Sequence, residues 1–435
     1  MAKKNSVAEP VETISQIDAP YELPAGWKWE KWGNIGNFIS GNGFKEKFQG
    51  FTDYDIPFYK VGSLKYSDSS GFLFDRTNTI NNEILRELKA SLIPENSIIF
   101  AKIGEAIRLN RRSINSEKCC IDNNLMAFLP QKCDYKYAFY WSKNIDLYNY
   151  TNATTVPAIR KSDLEEIPFP LPPTLEEQQR IVNRIENMFT KLDEAKEKAQ
   201  NVVDSFEPRK AAILHQAFTG NLTTKWRKEN GVSDDSWEEK TVGDCCSEVK
   251  VGIVIKPTRY YTDEKNGIPA FRSANVRENH IDNFDWVYIN DEGMKNEQRS
   301  IIHTNDVLVV RSGAPGTACV VTEQFDGYNA IDILIAVPLP EVINSYFLCY
   351  YTNSPMGKNI VAEKKRGLGL THFNVKGYSA TPIKVPSLPE QQEIVRILDT
   401  VLEKESTAKS AAEQVLEQIE LIKKSILARA FRGEL

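Results

Sequence analysis

The sequence predicts an α+β protein in which two similar mixed α/β domains are separated by a pair of long antiparallel coiled-coil helices. The first observation is an internal repeat, because residues 175–222 recur as 388–435 at a constant spacing of 213 residues and without a gap. The second is a helical apolar pattern inside both copies. The third is a set of shorter matches between the remaining parts of the chain, which extends the pseudo-two-fold repeat to the whole sequence.

Each copy of the long repeat begins with the signature of a helix N-terminus. Thr174 precedes Glu177 by three residues, and Ser387 precedes Glu390 in the same way. In such a capping box the Ser or Thr hydroxyl accepts the backbone N–H of the residue three positions later. The carboxylate of that later residue accepts the backbone N–H of the Ser or Thr. We therefore expect a helix to start at the same position in both copies.

Apolar residues recur at intervals of three and four through both copies, which favours a coiled-coil seam over the wide apolar face of a core helix. Gly220 and Gly433 follow the pattern, where a left-handed residue commonly ends a helix. Pro208 either starts a second helical piece or kinks the first copy. The two seams are expected to pack on each other; the alternative is that each helix packs on its own domain. The predicted interface residues are Ile181, Ile185, Leu192, Val202, Ile394, Leu398, Val415 and Ile419.

The rest of each half contains matching short segments with the character of strands and one aromatic-rich helix. Each matching strand is apolar and ends in a basic residue followed by small polar residues or a glycine turn. The loops between these segments differ, whereas the segments themselves match. Two domains that share a framework and recognise different targets would show this pattern. The matches are 56–63 with 268–275, 97–104 with 306–313, 120–122 with 330–332, and 137–141 with 346–350.

The repeat divides the chain into five segments. A polar and flexible N-terminal tail is predicted for 1–22, and the first globular domain for 23–172. The first long helix is assigned to 173–222, the second domain to 223–386, and the second long helix to 387–435.

The composition is that of a soluble globular protein with more than one core. The chain has 435 residues, of which 41% are hydrophobic and 26% are charged, and this length predicts two or three domains. No run of 18 apolar residues and no secretory signal occur, so we expect a cytoplasmic protein without a membrane span. Seven cysteines without zinc-ligand spacing and only four histidines predict reduced thiols and no metal site.

Motifs for cofactor chemistry are missing from the sequence. No phosphate-binding loop of the form Gly-x-x-x-x-Gly-Lys-Ser/Thr occurs, so ATP binding is not predicted. No Gly-x-Gly-x-x-Gly run follows a predicted strand, and no nucleophile-elbow or zinc-protease motif occurs. We therefore expect no catalytic residue and no cofactor in this chain.

Basic and small polar residues at matching strand ends indicate nucleic-acid binding. Arginine forks read guanine edges, asparagine reads adenine, and lysines and glycine-turn amides hold phosphates. For any single residue an ordinary surface cation is the alternative, and the net charge of −5 counts against a nucleic-acid partner. The paired recurrence favours binding. The strand-end candidates are Lys60, Ser63, Lys102, Arg272, Ser273, Asn275, Arg311 and Ser312, and the loop candidates are Arg108, Arg111, Arg112, Arg160, Lys161, Arg366, Thr371 and His372.

The helical motifs resemble those of a known family. These are the doubled Leu-x-Glu-Gln-Gln-x-Ile-Val helix, the doubled Ala-Phe-x-Gly-x-Leu ending, and the run Leu-Thr-Thr-Lys-Trp-Arg at 222–227. Together they are similar to the specificity subunit of type I restriction–modification enzymes. The resemblance extends over nearly the whole chain, but the base-contacting residues of that family follow no fixed motif, so none is transferred to this sequence.

The resemblance implies a function and partners. It implies two target-recognition domains, each reading one half of a split double-stranded DNA target, held apart by the two helices. It implies two modification subunits that carry the adenine methyltransferase chemistry, with restriction (translocase) subunits joining them. S-adenosylmethionine, ATP and Mg²⁺ are expected in those partner subunits, which could also supply much of the phosphate neutralisation that an acidic chain lacks.

Two other classes of function stay open at this point. An enzyme with a nuclease or methyltransferase pocket in one half is disfavoured by the missing cofactor motifs. A coiled-coil adaptor that joins proteins without nucleic acid predicts that neutralising Lys60, Lys102, Arg272 and Arg311 leaves DNA association unchanged.

Overall fold

The computed structural model describes residues 20–152, 156–359 and 374–435. The chain divides into two compact units. The first comprises the residues up to Lys198 together with Val415–Leu435, and the second comprises Ala199–Gln414. Each unit therefore contains one globular domain and a segment of each long helix.

The globular part of the first unit is a mixed α/β domain. Its strands are Lys28–Lys31 (β1), Gly36–Ser40 (β2), Ile56–Tyr59 (β3), Phe72–Leu73 (β4), Thr79–Ile80 (β5), Ile98–Ala101 (β6), Arg112–Asn115 (β7), Cys120–Ile121 (β8), Leu125–Pro130 (β9) and Pro168–Leu171 (β10). The helices that begin in this unit are Trp32–Ile35 (α1), Asn82–Leu88 (α2), Tyr135–Asn144 (α3), Lys161–Glu165 (α4) and the long helix Leu175–Phe218 (α5).

The largest sheet of the first unit has the strand order β2-β9-β6-β7-β4, and a smaller sheet has the order β5-β3-β8. The central strand β6 is apolar at every position, and all four of its residues are buried, as expected for a strand covered on both faces. Trp32 and Phe128 pack with this strand in the domain core. β1 pairs separately with the proline-rich β10.

The second unit repeats this plan with its own details. Its strands are Glu238–Thr241 (β11), Cys246–Val251 (β12), Tyr261–Thr262 (β13), Ile268–Phe271 (β14), Val276–Arg277 (β15), His280–Ile281 (β16), Val287–Ile289 (β17), Val307–Val310 (β18), Ala318–Val320 (β19), Asn329–Ala330 (β20), Ile333–Pro338 (β21) and Pro382–Val385 (β22). Its helices include Thr224–Asn230 (α6), Asp291–Asn296 (α7), Ser345–Asn353 (α8), Val375–Ser379 (α9) and the long helix Leu388–Phe431 (α10).

Two four-stranded sheets, in the orders β12-β21-β18-β19 and β13-β17-β14-β20, form the body of the second unit. The buried apolar strand β18 is the counterpart of β6, and β11 pairs with β22 as β1 pairs with β10. Both globular domains are thus mixed α/β structures built on one plan, so the predicted fold class is confirmed.

Both long helices have 44 residues, and each continues from one unit into the other along the chain. Gly220 and Gly433 follow them with φ of 81° and 75°, as predicted for left-handed stop residues. Pro208 lies inside α5, so the expectation that it starts a second helical piece is wrong. Within the described residues, no helix is long and apolar enough to cross a membrane.

In the first unit the two helices pair in antiparallel fashion. Lys196 of α5 forms an ion pair with Glu420 of α10 at 2.8 Å, and Asp193 forms one with Lys423 at 2.5 Å. Moving from Lys196 back to Asp193 along α5 thus corresponds to moving from Glu420 forward to Lys423 along α10. The two helices therefore run in opposite directions. The Lys423 ammonium also lies 5.1 Å from the ring centroid of Phe189.

The second unit contains the same antiparallel arrangement. Arg209 of α5 donates to Glu405 of α10 at 2.8 Å, and the Lys409 ammonium lies 4.8 Å from the ring centroid of Phe206. These two contacts flank Pro208. The paired helix therefore supports α5 on both sides of Pro208, which lacks the N–H that a helical residue donates.

The seam residues show that each helix packs both on its partner helix and on a domain. Ile181 and Ile185 belong to the core of the first domain, and Ile394 and Leu398 to that of the second. Between them the helices pair as described above. The predicted interface residues Leu192 and Val202 are half-buried and Ile419 is buried.

Val415 departs from the predicted seam. Its side chain is 40% exposed, and the half-buried Leu416 takes its place between the buried residues Ala412 and Ile419. The alternating steps of four and three from 412 to 416 to 419 are those of a heptad. The apolar pattern of the sequence predicted Val415, which lies one position before the residue that occupies the seam.

The two predicted capping boxes differ in the structure. The Glu177 N–H donates to the Thr174 hydroxyl at 3.2 Å, as expected for a helix cap. The Glu177 carboxylate instead accepts hydrogen bonds from Arg180 at 2.8 Å, so only the hydroxyl half of the first box is confirmed. The carboxylate of Glu390 is fully buried and accepts hydrogen bonds from Thr223 at 2.6 Å and Arg227 at 2.7 Å. The prediction that Glu390 caps its own helix is therefore wrong, because the segment after α5 supplies stronger donors to it.

The repeated Gln-Gln dipeptide has a clear structural role. The buried Gln178 accepts the backbone N–H of Asp134, the cap of α3, at 2.8 Å. The buried Gln391 accepts the backbone N–H of Asn344, the cap of α8, at 2.7 Å. Each glutamine therefore ties a long helix to the start of the aromatic-rich helix in its own unit.

These equivalent caps also correct the alignment of the aromatic helices. Asp134 corresponds to Asn344, so residues 137–141 match 347–351, one position later than the sequence comparison placed them. The aromatic residues of the two helices differ, and their spacing alone could not fix the register.

The predicted N-terminal tail lies mostly outside the described residues, since 1–19 are not described. Its last part is packed against the first unit. Tyr21 donates to the backbone carbonyl of Phe431 at 3.0 Å, and burial raises its pKa to about 12.

A half-buried carboxylate in the second unit joins the globular domain to α5. Glu278, in the turn between β15 and β16, accepts hydrogen bonds from Lys210 of α5 and from Lys358. Burial alone raises the pKa of Glu278, but these two ammonium groups outweigh burial and hold the pKa below its ordinary value of 4.5. The charged form of Glu278 is therefore stabilised by folding.

Replacing Glu278 by glutamine is expected to destabilise the protein by about 1–2 kcal/mol near neutral pH, because two ammonium groups lose a charged acceptor. The folded-state pKa lies below the unfolded value of about 4.5. The contribution is therefore fully present above that pH and is lost as the pH falls through the folded-state pKa. Urea unfolding of the full chain at a series of pH values measures this loss.

Glu248→Gln is the matched control in the same unit. Glu248 pairs with Arg299, whose side chain is 79% exposed, and such surface pairs contribute about 0–1 kcal/mol. Equal costs for the two variants, or a Glu278→Gln cost that does not shrink at low pH, would contradict the role assigned to the Glu278 carboxylate.

Candidate nucleic-acid interface

Strands β3, β8 and β6 of the first unit place charged residues at one edge of the domain. β3 is parallel to β8. Lys60 follows β3 and Asp122 follows β8, and the Asp122 N–H donates to the Tyr59 carbonyl at 2.9 Å. β6 is followed by Lys102, whose N–H donates to the Asn124 carbonyl at 2.9 Å. The charges of both lysines interact with the Asp122 carboxylate. We call Lys60, Lys102 and Asp122 the first strand-end cluster.

The first strand-end cluster is partly withdrawn from water. Burial raises the pKa of Asp122, and the Asn124 N–H and the charge of Lys60 offset part of that increase. Burial lowers the pKa of Lys102, and the charge of Asp122 opposes the decrease. The Lys60 ammonium also donates to the Gln49 side chain at 2.9 Å. The Lys60 side chain is therefore oriented by a neighbour before any ligand binds, and the charge of Lys102 is partly compensated by Asp122.

The second unit builds an equivalent group from arginines. β14 is parallel to β20, as β3 is to β8, and Arg272 follows β14 while Arg311 follows β18. Arg311 donates to Asp332 at 2.5 Å, and Arg272 donates to Asp285 at 2.7 Å. Arg272, Arg311 and Asp332 form the second strand-end cluster.

Aspartates lie near the cations in both units, and in the second unit they orient the arginines. A guanidinium carries five N–H donors in a fixed plane, so a carboxylate bound at one edge fixes the direction of the other donors. Such an arginine suits bidentate recognition of a guanine edge, whereas a lysine acts as a point charge toward a phosphate. The same carboxylates reduce the net positive charge, which weakens attraction to DNA of any sequence.

Two of the predicted polar contacts are internal turn residues. The buried Ser63 hydroxyl accepts the Lys60 N–H at 3.0 Å. The fully buried Asn275 accepts the Arg272 N–H at 2.9 Å and donates to the Phe284 carbonyl at 2.7 Å. These side chains stabilise the turns after β3 and β14 and are not available to bases, so their prediction as DNA contacts is not supported.

Ser273 and Ser312 follow the two cluster arginines directly and are partly buried. Their position next to Arg272 and Arg311 places them at the same edge of the second unit. Three further candidates lie outside the described residues, namely Arg366, Thr371 and His372.

Among the loop candidates of the first unit, Arg160 lies next to the cluster. The Ile159 N–H donates to the Lys102 carbonyl at 2.9 Å, which brings the exposed Arg160 beside the end of β6. Lys161 is also exposed and pairs with Glu165 in its own helix. Arg111 is exposed and directly precedes β7.

Arg112 is a structural residue. Its side chain is buried and donates to the Asn110 side chain at 2.8 Å and to the Arg111 carbonyl at 3.0 Å. Burial lowers the pKa of Arg112 to about 9. The prediction that Arg112 contacts DNA is not supported, because its side chain is buried and its guanidinium is turned to Asn110 and Arg111.

Arg108 lies beside the long helices. It pairs with Glu105 at 2.8 Å, and its guanidinium carbon lies 3.7 Å from the ring centroid of Tyr148. It lines a cavity of about 890 Å³ together with Lys143 and Lys423 of α10. The sequence placed Arg108 in a surface loop but could not show that this loop turns toward a helix.

Two glycines that the sequence analysis did not select are required at the strand-end edges. A Cβ atom on Gly41 would lie 1.8 Å from the Asp122 carbonyl oxygen, and one on Gly252 would lie 2.2 Å from that of Ala330. The loop after β2 and the loop after β12 therefore cross close to the neighbouring strand end in both units. In the second unit this loop continues through Val254, which is not among the residues predicted to bind DNA.

Comparison with known proteins identifies the family. The family model for the type I restriction modification DNA specificity domain matches residues 24–204 and 234–418. The chain belongs to this family. The two matches to the specificity domain fall on the two halves of the internal repeat, so the resemblance read from the helical motifs is confirmed.

Individual specificity subunits are similar over much of the chain. The specificity subunit of the type I restriction enzyme EcoBI of Escherichia coli is 25% identical over 294 residues, which cover 66% of this chain and 62% of that subunit. The chain thus spans less than two thirds of the length of this relative.

Solved structures show the same fold. A chain from a structure of the type I restriction–modification system, described in terms of its complex assembly and conformational transition, gives a TM-score of 0.71 at 18% identity, covering 96% of this chain and 100% of that one. The HsdS subunit from Thermoanaerobacter tengcongensis gives 0.64 at 18% identity, covering 97% and 100%.

Proposed function

We propose that this chain is the DNA-recognition subunit of a type I restriction–modification complex, in which each globular domain reads one half of a bipartite target. One observation carries the proposal. Equivalent strand ends in both units place two cations near aspartates, within a family named for DNA specificity. Paired cation clusters of this kind fit two readers with different base preferences, because one pair consists of lysines and the other of arginines.

In this proposal the long helices set the distance between the half-targets and bind two modification subunits, through which restriction (translocase) subunits join. The chain itself is non-catalytic. S-adenosylmethionine, ATP and Mg²⁺ belong to the partner subunits, and the assembled complex works in the cytoplasm. All seven cysteines are free thiols in the structure, which fits a reducing compartment.

The test is an exchange of domains in a methylating complex. The chain is produced with its modification subunits, and methylated adenines are mapped in a library of random duplexes. Replacing residues 27–170 by the matching domain of another family member is expected to change one half of the methylated target and leave the other half intact. Exchange of the second domain should change the opposite half.

Two outcomes would contradict the proposal. Changes in both halves after a single exchange would mean that the domains are not independent readers. A complex that methylates the same sequences with and without this chain would favour an adaptor that makes no DNA contact.

A further inference from the structure

The loop after β12 presents an unusual apolar surface at the edge of the second unit. Gly252 donates its N–H to the Ile333 carbonyl at 2.9 Å, and Ile253 donates to the Ala330 carbonyl at 2.8 Å, so the start of the loop is fixed. The next two side chains, Val254 and Ile255, are 49% and 74% exposed. Ile255 is the most exposed large apolar side chain in the part of the chain that the structure describes.

The matching loop of the first unit lacks this surface. Gly41 corresponds to Gly252, because both approach the neighbouring strand end closely. Three residues later, Phe44 takes the position of Ile255, and its ring stacks on Phe58 with a centroid distance of 3.8 Å. The first loop therefore uses its apolar residue internally, whereas the second leaves Ile255 in water. This difference makes the feature specific to one unit.

The surroundings of Ile255 are those of the second strand-end cluster. Asp332 donates its N–H to the Ile253 carbonyl at 3.1 Å, and its carboxylate holds Arg311. On the other side of the loop tip is Lys256, which is exposed and, among the described residues, has neither a hydrogen bond nor an ion pair from its ammonium group. An apolar tip flanked by cations fits a partner with apolar groups beside negative charges.

DNA offers such a partner in one place. The edges of the bases in the major groove are polar except for the C5-methyl group of thymine, which apolar side chains contact in sequence-specific complexes. The phosphates that line the groove supply the negative charge for Lys256.

We propose that Val254 and Ile255 contact the methyl group of a thymine in the half of the target read by the second unit, while Lys256 contacts a nearby phosphate. The inference rests on the proposed function and deepens it, because it names one base and the residues that read it. Burial of both side chains on binding also accounts for an apolar surface that costs free energy in the unbound chain.

The experiment uses the chain assembled with its modification subunits. Methylation of a duplex library with random bases in the target defines the preference of the wild type and of Ile255→Ala. The variant is expected to lose about 5- to 50-fold of the preference for a T·A pair at one position of one half-target. Preferences in the other half, read by the first unit, should stay unchanged.

Uracil in place of that thymine removes only the methyl group. In the wild type this substitution should reproduce most of the loss, and in Ile255→Ala it should have little further effect. Ile268→Ala is the matched control, because Ile268 is 40% exposed and begins β14, at the opposite end of the strand from Arg272. This control should retain the wild-type preference.

The outcomes separate this inference from the proposed function. A wild-type complex without a specified target would refute the proposed function itself. A specified target whose second half contains no thymine, an unchanged preference in Ile255→Ala and in the double variant Val254→Ala/Ile255→Ala, or a lost preference that is insensitive to uracil would each overturn the thymine contact alone.

Discussion

Replacing Arg227 by methionine is expected to lower the free energy of unfolding by about 3–5 kcal/mol, the usual cost of breaking a buried ion pair from one side. The Arg227 side chain is 6% exposed and donates to the fully buried Glu390 at 2.7 Å. Thr223 donates to the same oxygen at 2.6 Å, while the second Glu390 oxygen is buried without a hydrogen-bond partner. The carboxylate therefore depends on Arg227 for compensation of its charge.

The repeat supplies a matched control for this prediction. Glu177 occupies the position of Glu390 in the first copy, and its partner Arg180 is 47% exposed. Arg180→Met should therefore cost only about 0–1 kcal/mol, because water replaces the lost partner. Urea unfolding of the full chain compares the two variants.

A second variant tests whether the loss comes from an uncompensated charge. Arg227→Met combined with Glu390→Met removes both charges and keeps similar volumes, so it should recover most of the stability lost in Arg227→Met. An Arg227→Met cost no greater than that of Arg180→Met, or no recovery in the double variant, would contradict this account.

The same pair shows where sequence reasoning about the helices succeeded and where it stopped. The repeat spacing, the apolar periodicity and the stop glycines predicted two long helices, because these are local signals. The Ser387 and Glu390 spacing is equally local and predicted a cap. Only the folded chain brings Arg227, separated by 163 residues, to the Glu390 carboxylate, and this stronger donor overrides the cap.

The strand-end residues show a similar limit. Matching strands in the two halves drew attention to Lys60, Lys102, Arg272 and Arg311, because each follows an apolar run. The sequence could not distinguish polar residues that complete a turn, such as Asn275, from those that face solvent. Burial is decided by packing between segments that are distant in sequence, and the same applies to Arg112.

Exposed apolar residues are also hard to select from sequence. Val254 and Ile255 look like the continuation of strand β12, and a strand residue of that kind is usually buried. Their exposure follows from Gly252, where the close approach of the Ala330 backbone ends the strand and turns the chain outward. In the sequence, the one available signal of this turn was Gly41, the glycine at the matching position of the first half.

The strand-end clusters are expected to make the largest contributions to DNA recognition, and the two pairs of cations should contribute differently. Lys60→Gln/Lys102→Gln in the assembled complex should weaken binding to all duplexes and lower the slope of log affinity against log salt by about 2, close to 0.9 for each lost phosphate contact. Titration of labelled duplexes over a range of salt concentrations measures the slope.

Arg272→Gln/Arg311→Gln should instead relax base preference in one half-target. The two arginines are oriented by Asp285 and Asp332, and a bidentate arginine–guanine pair discriminates by about 1–3 kcal/mol. We therefore expect a loss of about 2–6 kcal/mol in discrimination if both arginines read guanines, measured as relative methylation rates of duplexes that differ at single positions. The other half-target should be read as in the wild type.

A matched control removes two exposed lysines outside the clusters. Lys225 and Lys384 are 88% and 61% exposed and form only surface ion pairs, so Lys225→Gln/Lys384→Gln removes the same charge as the lysine pair. Thermal unfolding of every variant checks that the loss of a partner for Asp122 or Asp332 does not unfold a domain.

If the Lys225→Gln/Lys384→Gln control lowers the salt slope as much as Lys60→Gln/Lys102→Gln, the clusters act only through net charge. A preserved preference in the arginine variant would mean that Arg272 and Arg311 support the fold of the edge and that other residues read the bases.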